Sequence, residues 1–193
     1  MLDNVSIIIP IAPDETAHHN LVNRLKETGA DVIISSEGSR TESMNVGAAK
    51  AERTFLWFLH ADSQVSEGNI QALQVALQHN PSALHYFNLA YTKGFLTALN
   101  AAGANLRSIF LGLPYGDQGF CLSQEQFAKV GGYPEAPYGE DVLFVRLAKR
   151  NGIALHRVSS TLVTSARKYA EIGWFKLTML RQFQIIKLLA QKL

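Results

Sequence analysis

The chain carries one cysteine, Cys121, in 193 residues. That excludes an internal disulfide and a multi-cysteine zinc site, and a reducing cytoplasm is the simplest compartment for it. No uncharged apolar stretch approaches the ~20 residues of a bilayer span. The apolar run at 5–9 is short, is closed by Pro10, and lacks the basic start and small-residue cleavage site of a secretory leader. Net charge is small too: 18 Lys and Arg against 16 Asp and Glu leave +2, too little to point to nucleic acid. Repeats, low-complexity tracts and interdomain linkers are also missing, so residues 1–193 read as a single domain. One part of the chain is short of acid. From Arg146 to Lys192 there are ten Lys or Arg and a single acidic residue, Glu171.

What is present is a regular alternation of apolar runs. Hydrophobic residues make up 47 % of the chain, enough for a substantial core. The β-branched run at 5–9 predicts a buried parallel strand. A helix over 16–28 follows, its Leu21, Val22 and Leu25 on one face and Gly29 at its end. A second β-branched run covers 31–35. Strand, helix, strand in this order predicts a parallel sheet with right-handed crossovers. Residues 36–40 read as a loop, 42–51 as helix, 54–60 as a third strand, 68–79 as helix and 83–91 as strand. Further on, 96–111 reads as helix, 120–122 as a short strand, 124–130 and 140–150 as helices, 154–158 and 161–164 as strands, and 174–189 as a long apolar-rich helix.

Three stretches carry candidate chemistry. Leu56-Trp57-Phe58-Leu59-His60-Ala61-Asp62-Ser63 runs an apolar strand straight into a carboxylate. In open α/β sheets ligands sit beyond the carboxyl ends of the strands. Asp62 there can hold a hard divalent cation that also touches a diphosphate, or it can simply cap the next turn. His60 stands two residues earlier, so strand alternation would turn both side chains the same way; a buried, hydrogen-bonded core histidine is its other reading. The second stretch, Pro114-Tyr115-Gly116-Asp117-Gln118-Gly119-Phe120, has glycines that admit a ligand close to the backbone, or it is a polar turn entering a strand. The third, Tyr138-Gly139-Glu140-Asp141-Val142, places two acids at a helix start. They suit the helix dipole, or one of them is a general base for an acceptor hydroxyl. His18 and His19 read as surface residues, and Cys121 as packing.

In this order these stretches resemble family 2 glycosyltransferases of the GT-A fold, and among them the small subgroup associated with arsenosugar biosynthesis. The likeness rests on Ser6-Ile7-Ile8-Ile9-Pro10, Met44-Asn45-Val46-Gly47-Ala48-Ala49, Phe58-Leu59-His60-Ala61-Asp62-Ser63 and Asn105-Leu106-Arg107-Ser108. It continues through Pro114-Tyr115-Gly116-Asp117-Gln118-Gly119, Gly131-Gly132-Tyr133-Pro134, Gly139-Glu140-Asp141-Val142 and Thr164-Ser165-Ala166-Arg167. The resemblance implies a Rossmann-like, mainly parallel sheet flanked by helices, with a long C-terminal helix. It implies transfer of a sugar from a nucleotide-diphosphate-sugar, with a UDP-sugar as the expected donor, to an unidentified acceptor hydroxyl, with inversion. Asp62 matches the metal-binding aspartate, for Mg²⁺ or Mn²⁺, and His60 takes the place of the first acid of that motif. Asp141, with Glu140 beside it, matches the catalytic base. Asp117 and Gln118 match a loop lining donor sugar and acceptor, Arg167 a partner of the diphosphate, and Pro10, Asn45 and Gly47 residues near the nucleotide.

The sequence departs from that family after the second strand. An Asp-rich turn and a further helix-and-strand unit are missing, so the sheet is expected to be shortened there, with Glu37 standing in as a ribose acceptor. A non-catalytic binding relative therefore remains an alternative. A nucleotidyltransferase shares the plan, but its glycine- and lysine-rich loop has no counterpart at 10–15. The C-terminal helix, about 173–191, has Phe175, Thr178, Met179, Ile185, Ile186 and Leu189 on one broad half, and Lys176, Gln184, Lys187 and Gln191 on the other. Such a helix can lie on an anionic membrane as a peripheral contact at the inner surface. The width of its apolar arc favours docking on the domain or on a second subunit of a homodimer instead.

Overall fold

The computed structural model describes residues 1–13 and 16–167 and, after them, 169, 173, 175, 176, 178, 179, 183 and 184. Its centre is a six-stranded sheet. The strands are β1 (Val5–Pro10), β2 (Asp31–Ser35), β3 (Phe55–Phe58), β4 (Leu84–Tyr91), β5 (Cys121–Ser123) and β6 (Leu155–Thr164), in the spatial order β2-β1-β3-β5-β4-β6. β1 pairs in parallel with β2 and β3, and β4 with β6; β5 is antiparallel to both of its neighbours. Five strands thus run one way and one runs against them, which is the mainly parallel sheet that was expected. The helices are α1 (His18–Leu25), α2 (Arg40–Lys50), α3 (Glu67–His79), α4 (Phe95–Leu111), α5 (Gln124–Val130) and α6 (Glu140–Arg150).

The pleat sorts the core. Ile7 and Ile9 of β1 face one side with Trp57, Phe87, Leu21 and Leu73, covered by α1 and α3. Ile8 faces the other with Leu56, Phe58, Phe120, Met44 and Phe144, covered by α2 and α6. Alternate residues of one strand feed two separate cores, so both faces of the sheet must be apolar and its strands read as unbroken hydrophobic runs. Gly47 is what lets α2 lie this close: a Cβ there would sit 2.5 Å from Ile8 Cγ2.

β2 is the edge strand. The chain leaves it at Ser35 and enters α2 at Arg40, with Ser39 capping the helix by accepting from the Glu42 N–H. Only residues 36–39 intervene, so the sheet is shortened where the sequence predicts. Several boundaries differ from expectation. The first helix ends at Leu25 and continues as a 3-10 turn over Lys26–Thr28 before left-handed Gly29. α2 starts two residues early, because the Ser39 hydroxyl satisfies an orphan N–H there. The two short strands expected at 154–158 and 161–164 are one strand, β6, with a register shift opposite Tyr86 and Asn88. That bulge consumes the residues between them and keeps the pairing continuous.

His18 is 9 % exposed, so it is not the surface residue expected. Cys121 is fully buried, and burial pushes its thiol well above the usual range, as suits packing. The helix expected over 173–191 lies mostly outside the described residues. Within it Phe175, Lys176, Thr178, Met179, Phe183 and Gln184 are helical. Phe175, Met179 and Phe183 are exposed, so these apolar side chains do not dock on the domain. No helix among the described residues is long and apolar enough to cross a membrane.

Candidate active site

The parallel strands end together. Pro10, Ser35, Phe58, Tyr91 and Thr164 are their last residues, and the loop that leads into antiparallel β5 returns to this same edge. Most of the expected site residues lie along it.

The centre is an ion cluster. Arg40, the first residue of α2, pairs through Nη1 with the Glu140 carboxylate and stands 3.4 Å from Asp141 Oδ2. Its Nη2 is 2.7 Å from His60 Nε2. Since a guanidinium only donates, His60 Nε2 accepts there and its proton sits on Nδ1. α6 starts at left-handed Gly139, which throws Glu140 and Asp141 onto its first turn, facing Arg40. The carboxylates are about one-sixth exposed, 17 % and 16 %. Burial raises the Asp141 pKa; the charge of Arg40 opposes that rise, and Glu140 and Asp117 add to it. The same carboxylates hold the Arg40 guanidinium firmly protonated against the cost of its burial.

Gly116 closes the cluster from the other side. Its backbone N–H donates to Asp141, and a Cβ on it would meet both Asp141 carboxylate oxygens at 2.5 Å. The glycine expected to admit a ligand thus admits the catalytic-base candidate itself. Gly116–Gln118 is a 3-10 turn, and Asp117 accepts through Oδ2 from the Tyr91 hydroxyl at 3.3 Å. Gln118 is fully buried and its amide is spent on the protein: Oε1 accepts from Ser108 Oγ and the Tyr115 N–H, and Nε2 donates to the Phe87 carbonyl. It ties the loop to β4 and α4 and does not line the site.

Asp62 is set apart from His60. The Ser63 N–H donates to the His60 carbonyl, so the chain turns at 60–63 and strand alternation does not apply. His60 reaches Arg40, whereas Asp62 Oδ1 accepts from Thr164 Oγ1, at the end of β6, at 3.1 Å. Arg167 begins the helical segment three residues after Thr164 and is exposed; its backbone N–H donates to Ser165 Oγ. Asp62 and Arg167 therefore flank one end of the edge, and the Arg40 cluster lies toward the other. Among the described residues no three His, Cys, Asp or Glu side chains gather as a metal cage. A magnesium-type ion does not need one, since it takes one or two carboxylates together with substrate phosphates. Asp62, with the Thr164 hydroxyl at 3.1 Å, offers one such carboxylate.

The nucleotide-side candidates fare differently. Glu37 stands at the end of β2 as expected, but Oε1 accepts from Lys50 Nζ at 2.6 Å and Oε2 accepts from Ser35 Oγ and the Ser36 N–H. Those hydrogen bonds, from Lys50 first and then Ser35, pull its pKa down to about 2. Asn45 clamps the turn after α5: its Nδ2 donates to the Tyr133 carbonyl and its Oδ1 accepts the Tyr133 N–H, both at 2.9 Å. Gly47 is buried against Ile8. Asn45 and Gly47 thus build the scaffold, and only Pro10 and Glu37 of this group stand at the sheet edge.

Two contributors were not assigned a role from the sequence. Arg40 sat at the end of a presumed loop; its signal was the capping serine before it, which places it on a helix start. Arg107 is the other. Its guanidinium lies 3.5 Å over the Tyr115 ring and its Nε donates to the Leu113 carbonyl, pinning the loop that carries Gly116 and Asp117. Asn105, two residues before it, pairs with both backbone groups of Leu89 and fixes α4 on β4.

No protein-family model matches the chain, and no curated protein matches it. Solved structures do. Two structures of S. aureus TarS superpose with a TM-score of 0.58, each over 84 % of this chain, at 14 % and 13 % identity. This chain spans 37 % of one of them and 60 % of the other, which comprises residues 1–349. At such identity the likeness is one of fold: a mixed α/β domain with a central six-stranded sheet flanked by helices.

Proposed function

We propose that this chain is a glycosyltransferase that moves a sugar from a nucleotide-diphosphate-sugar to an acceptor hydroxyl. The observation that carries the reading is the placement of Asp141, Asp62 and Arg167 along the one sheet edge where α/β folds take their ligands. The fold is shared with TarS, itself a glycosyltransferase.

In this reading Asp141 takes the proton of the acceptor hydroxyl. The hydroxyl oxygen then attacks the anomeric carbon from the face opposite the diphosphate, the bond from that carbon to the phosphate oxygen breaks, and the configuration inverts. Geometry favours Asp141 over Glu140 as base. Glu140 holds the close contact with Arg40, while Asp141 stands back at 3.4 Å and has its basicity raised by burial. Arg167 would meet the departing diphosphate, for which a planar guanidinium is well shaped. A divalent cation, Mg²⁺ or Mn²⁺, held at Asp62 would neutralise charge that builds on the leaving phosphate. The protein's part is mostly positioning and electrostatics.

A second reading has one observation in its favour. Glu37, expected to accept from a ribose, is already engaged by Lys50, Ser35 and Ser36, which suits a relative that lost donor binding. Thermal melting with UDP-sugars, GDP-sugars and free nucleotides, with and without Mn²⁺, separates the two. A metal-linked rise in melting temperature is expected with a nucleotide-sugar, by mass action. Asp62→Ala should remove the metal-dependent part, and Asp141→Asn should keep binding while ending turnover. If no nucleotide raises the melting point, the transferase reading fails.

A further inference from the structure

α4 has an apolar outer face. Phe95, Leu96, Leu99, Leu106, Ile109 and Phe110 fall within roughly 140° of its wheel at ~100° per residue. All six are exposed, Phe95 at 78 % and Phe110 at 77 %. The opposite face, with Ala101 and Ala104, packs on Leu89. The only charged residue in the helix is Arg107, which is turned inward over Tyr115. Beside this stripe, Asn100 Nδ2 donates to Thr178 Oγ1 at 3.0 Å. The exposed Phe175, Met179 and Phe183 follow on the segment so attached. A run of exposed aromatic and aliphatic side chains over about four turns exceeds what a surface normally shows.

Among the described residues, the charges that flank the two ends of the stripe are lysines. Exposed Lys93 precedes the helix, Lys149 Nζ reaches the Leu111 and Gly112 carbonyls at its end, and exposed Lys176 lies on the neighbouring segment. No Asp or Glu occurs between Gly68 and Gly116, and Glu171 is the only one from Val142 onward. A second copy packed stripe to stripe would bring these lysines against lysines, with no carboxylate between 68 and 116 to answer them. An anionic lipid surface supplies both an apolar interior and negative headgroups.

We propose that α4 docks this chain on an anionic bilayer surface through its apolar stripe, lying in the interface and not crossing it. Asn105 is tied to Leu89, so Phe95 stands ~15 Å further along the helix axis, whereas β4 ends ~7 Å beyond Leu89. The first turns of α4 thus rise past the sheet edge that holds Asp117 and Asp62. Docking by this helix sets that edge against the membrane face.

The test is sedimentation of the full chain with vesicles of phosphatidylcholine alone and of phosphatidylcholine mixed with phosphatidylglycerol, at low and high salt. Binding to the anionic vesicles, weakened by salt, is expected. Leu106→Glu with Phe110→Glu should lower the partition roughly tenfold or more while circular dichroism stays that of the wild type. Leu99→Gln, a milder change at an exposed position, should lower it in the same direction if the double variant does not fold. Lys93→Glu should weaken anionic binding alone. The proposal is overturned if the wild type stays in solution with both vesicles, or if folded variants bind as it does. It is equally overturned if light scattering shows a dimer that Phe110→Glu splits, since the stripe would then belong to a second copy.

Discussion

Arg40 holds two carboxylates that would otherwise repel each other within a few ångströms. Its loss should therefore act in two ways. Arg40→Ala leaves Glu140 and Asp141 uncompensated; with the arginine about one-third exposed, the cost should be about 1–3 kcal/mol, below that of a fully buried pair, read as a drop in urea midpoint. The charge that lowers the Asp141 pKa also disappears, so that pKa moves up further. If Asp141 is the base, the acid limb of kcat/KM lies above the pH of an exposed aspartate in the wild type and shifts higher still in Arg40→Ala. An acid limb that stays where it was would remove Asp141 from that role. Gly116 offers a second probe. A methyl group there must displace the Asp141 carboxylate, so Gly116→Ala should cut kcat by about 10- to 100-fold. Its melting temperature should fall as well, because the displaced carboxylate leaves its largely buried pairing with Arg40, although Gly116 has no left-handed backbone to strain.

At the scale of elements, the packing of α2 on β1 depends on one missing side chain. Gly47→Ala drives a Cβ to within 2.5 Å of Ile8 Cγ2, and overpacking of this kind costs about 1–3 kcal/mol, readable by chemical denaturation. An unchanged midpoint would mean that α2 can slide outward. Since α2 carries Arg40 at its start, a shift of this helix should also lower turnover. The elements themselves were largely legible in the sequence. β-branched runs marked β1 and β2, and Gly29 marked the end of the first helical stretch. β6 was not read as one strand, because its bulge interrupts the alternation that a strand is recognised by. The antiparallel sense of β5 was equally out of reach: three residues specify no direction, and the loop before it decides.

Across the whole molecule, the opposite edge of the sheet carries a titratable pair with no part in the proposed chemistry. His85 Nε2 donates to the Asn80 carbonyl, so its Nδ1 must accept from His156 Nδ1 at 3.1 Å, across β4 and β6. Burial, and then the neighbouring His156, lower the His85 pKa from 6.5 to about 4. Because the folded value is depressed, the stability it contributes is present above about pH 6.5 and is lost as pH falls toward 4. The loss should be on the order of 2–3 kcal/mol, and it should flatten in His85→Gln. Equilibrium unfolding at a series of pH values checks this; a wild-type slope identical to that of His85→Gln would show that the pair does not titrate with folding.

By itself the sequence determined the alternation of strands and helices, the shortening after β2, and the residues that lie at the strand ends. Those follow from short-range pattern: period, branching, and turn residues. Tertiary structure alone decided what each candidate touches. His60 and Asp62, two apart in sequence, part company because the chain turns between them. Asn45 and Gln118 are polar and near the motifs, yet their amides are consumed by backbone groups of Tyr133, Tyr115 and Phe87 and by the Ser108 hydroxyl. Arg40 joins Glu140 across 100 positions of chain. Hydrogen-bond partners so far apart in sequence are set by how helices seat on the sheet, and no local pattern encodes that.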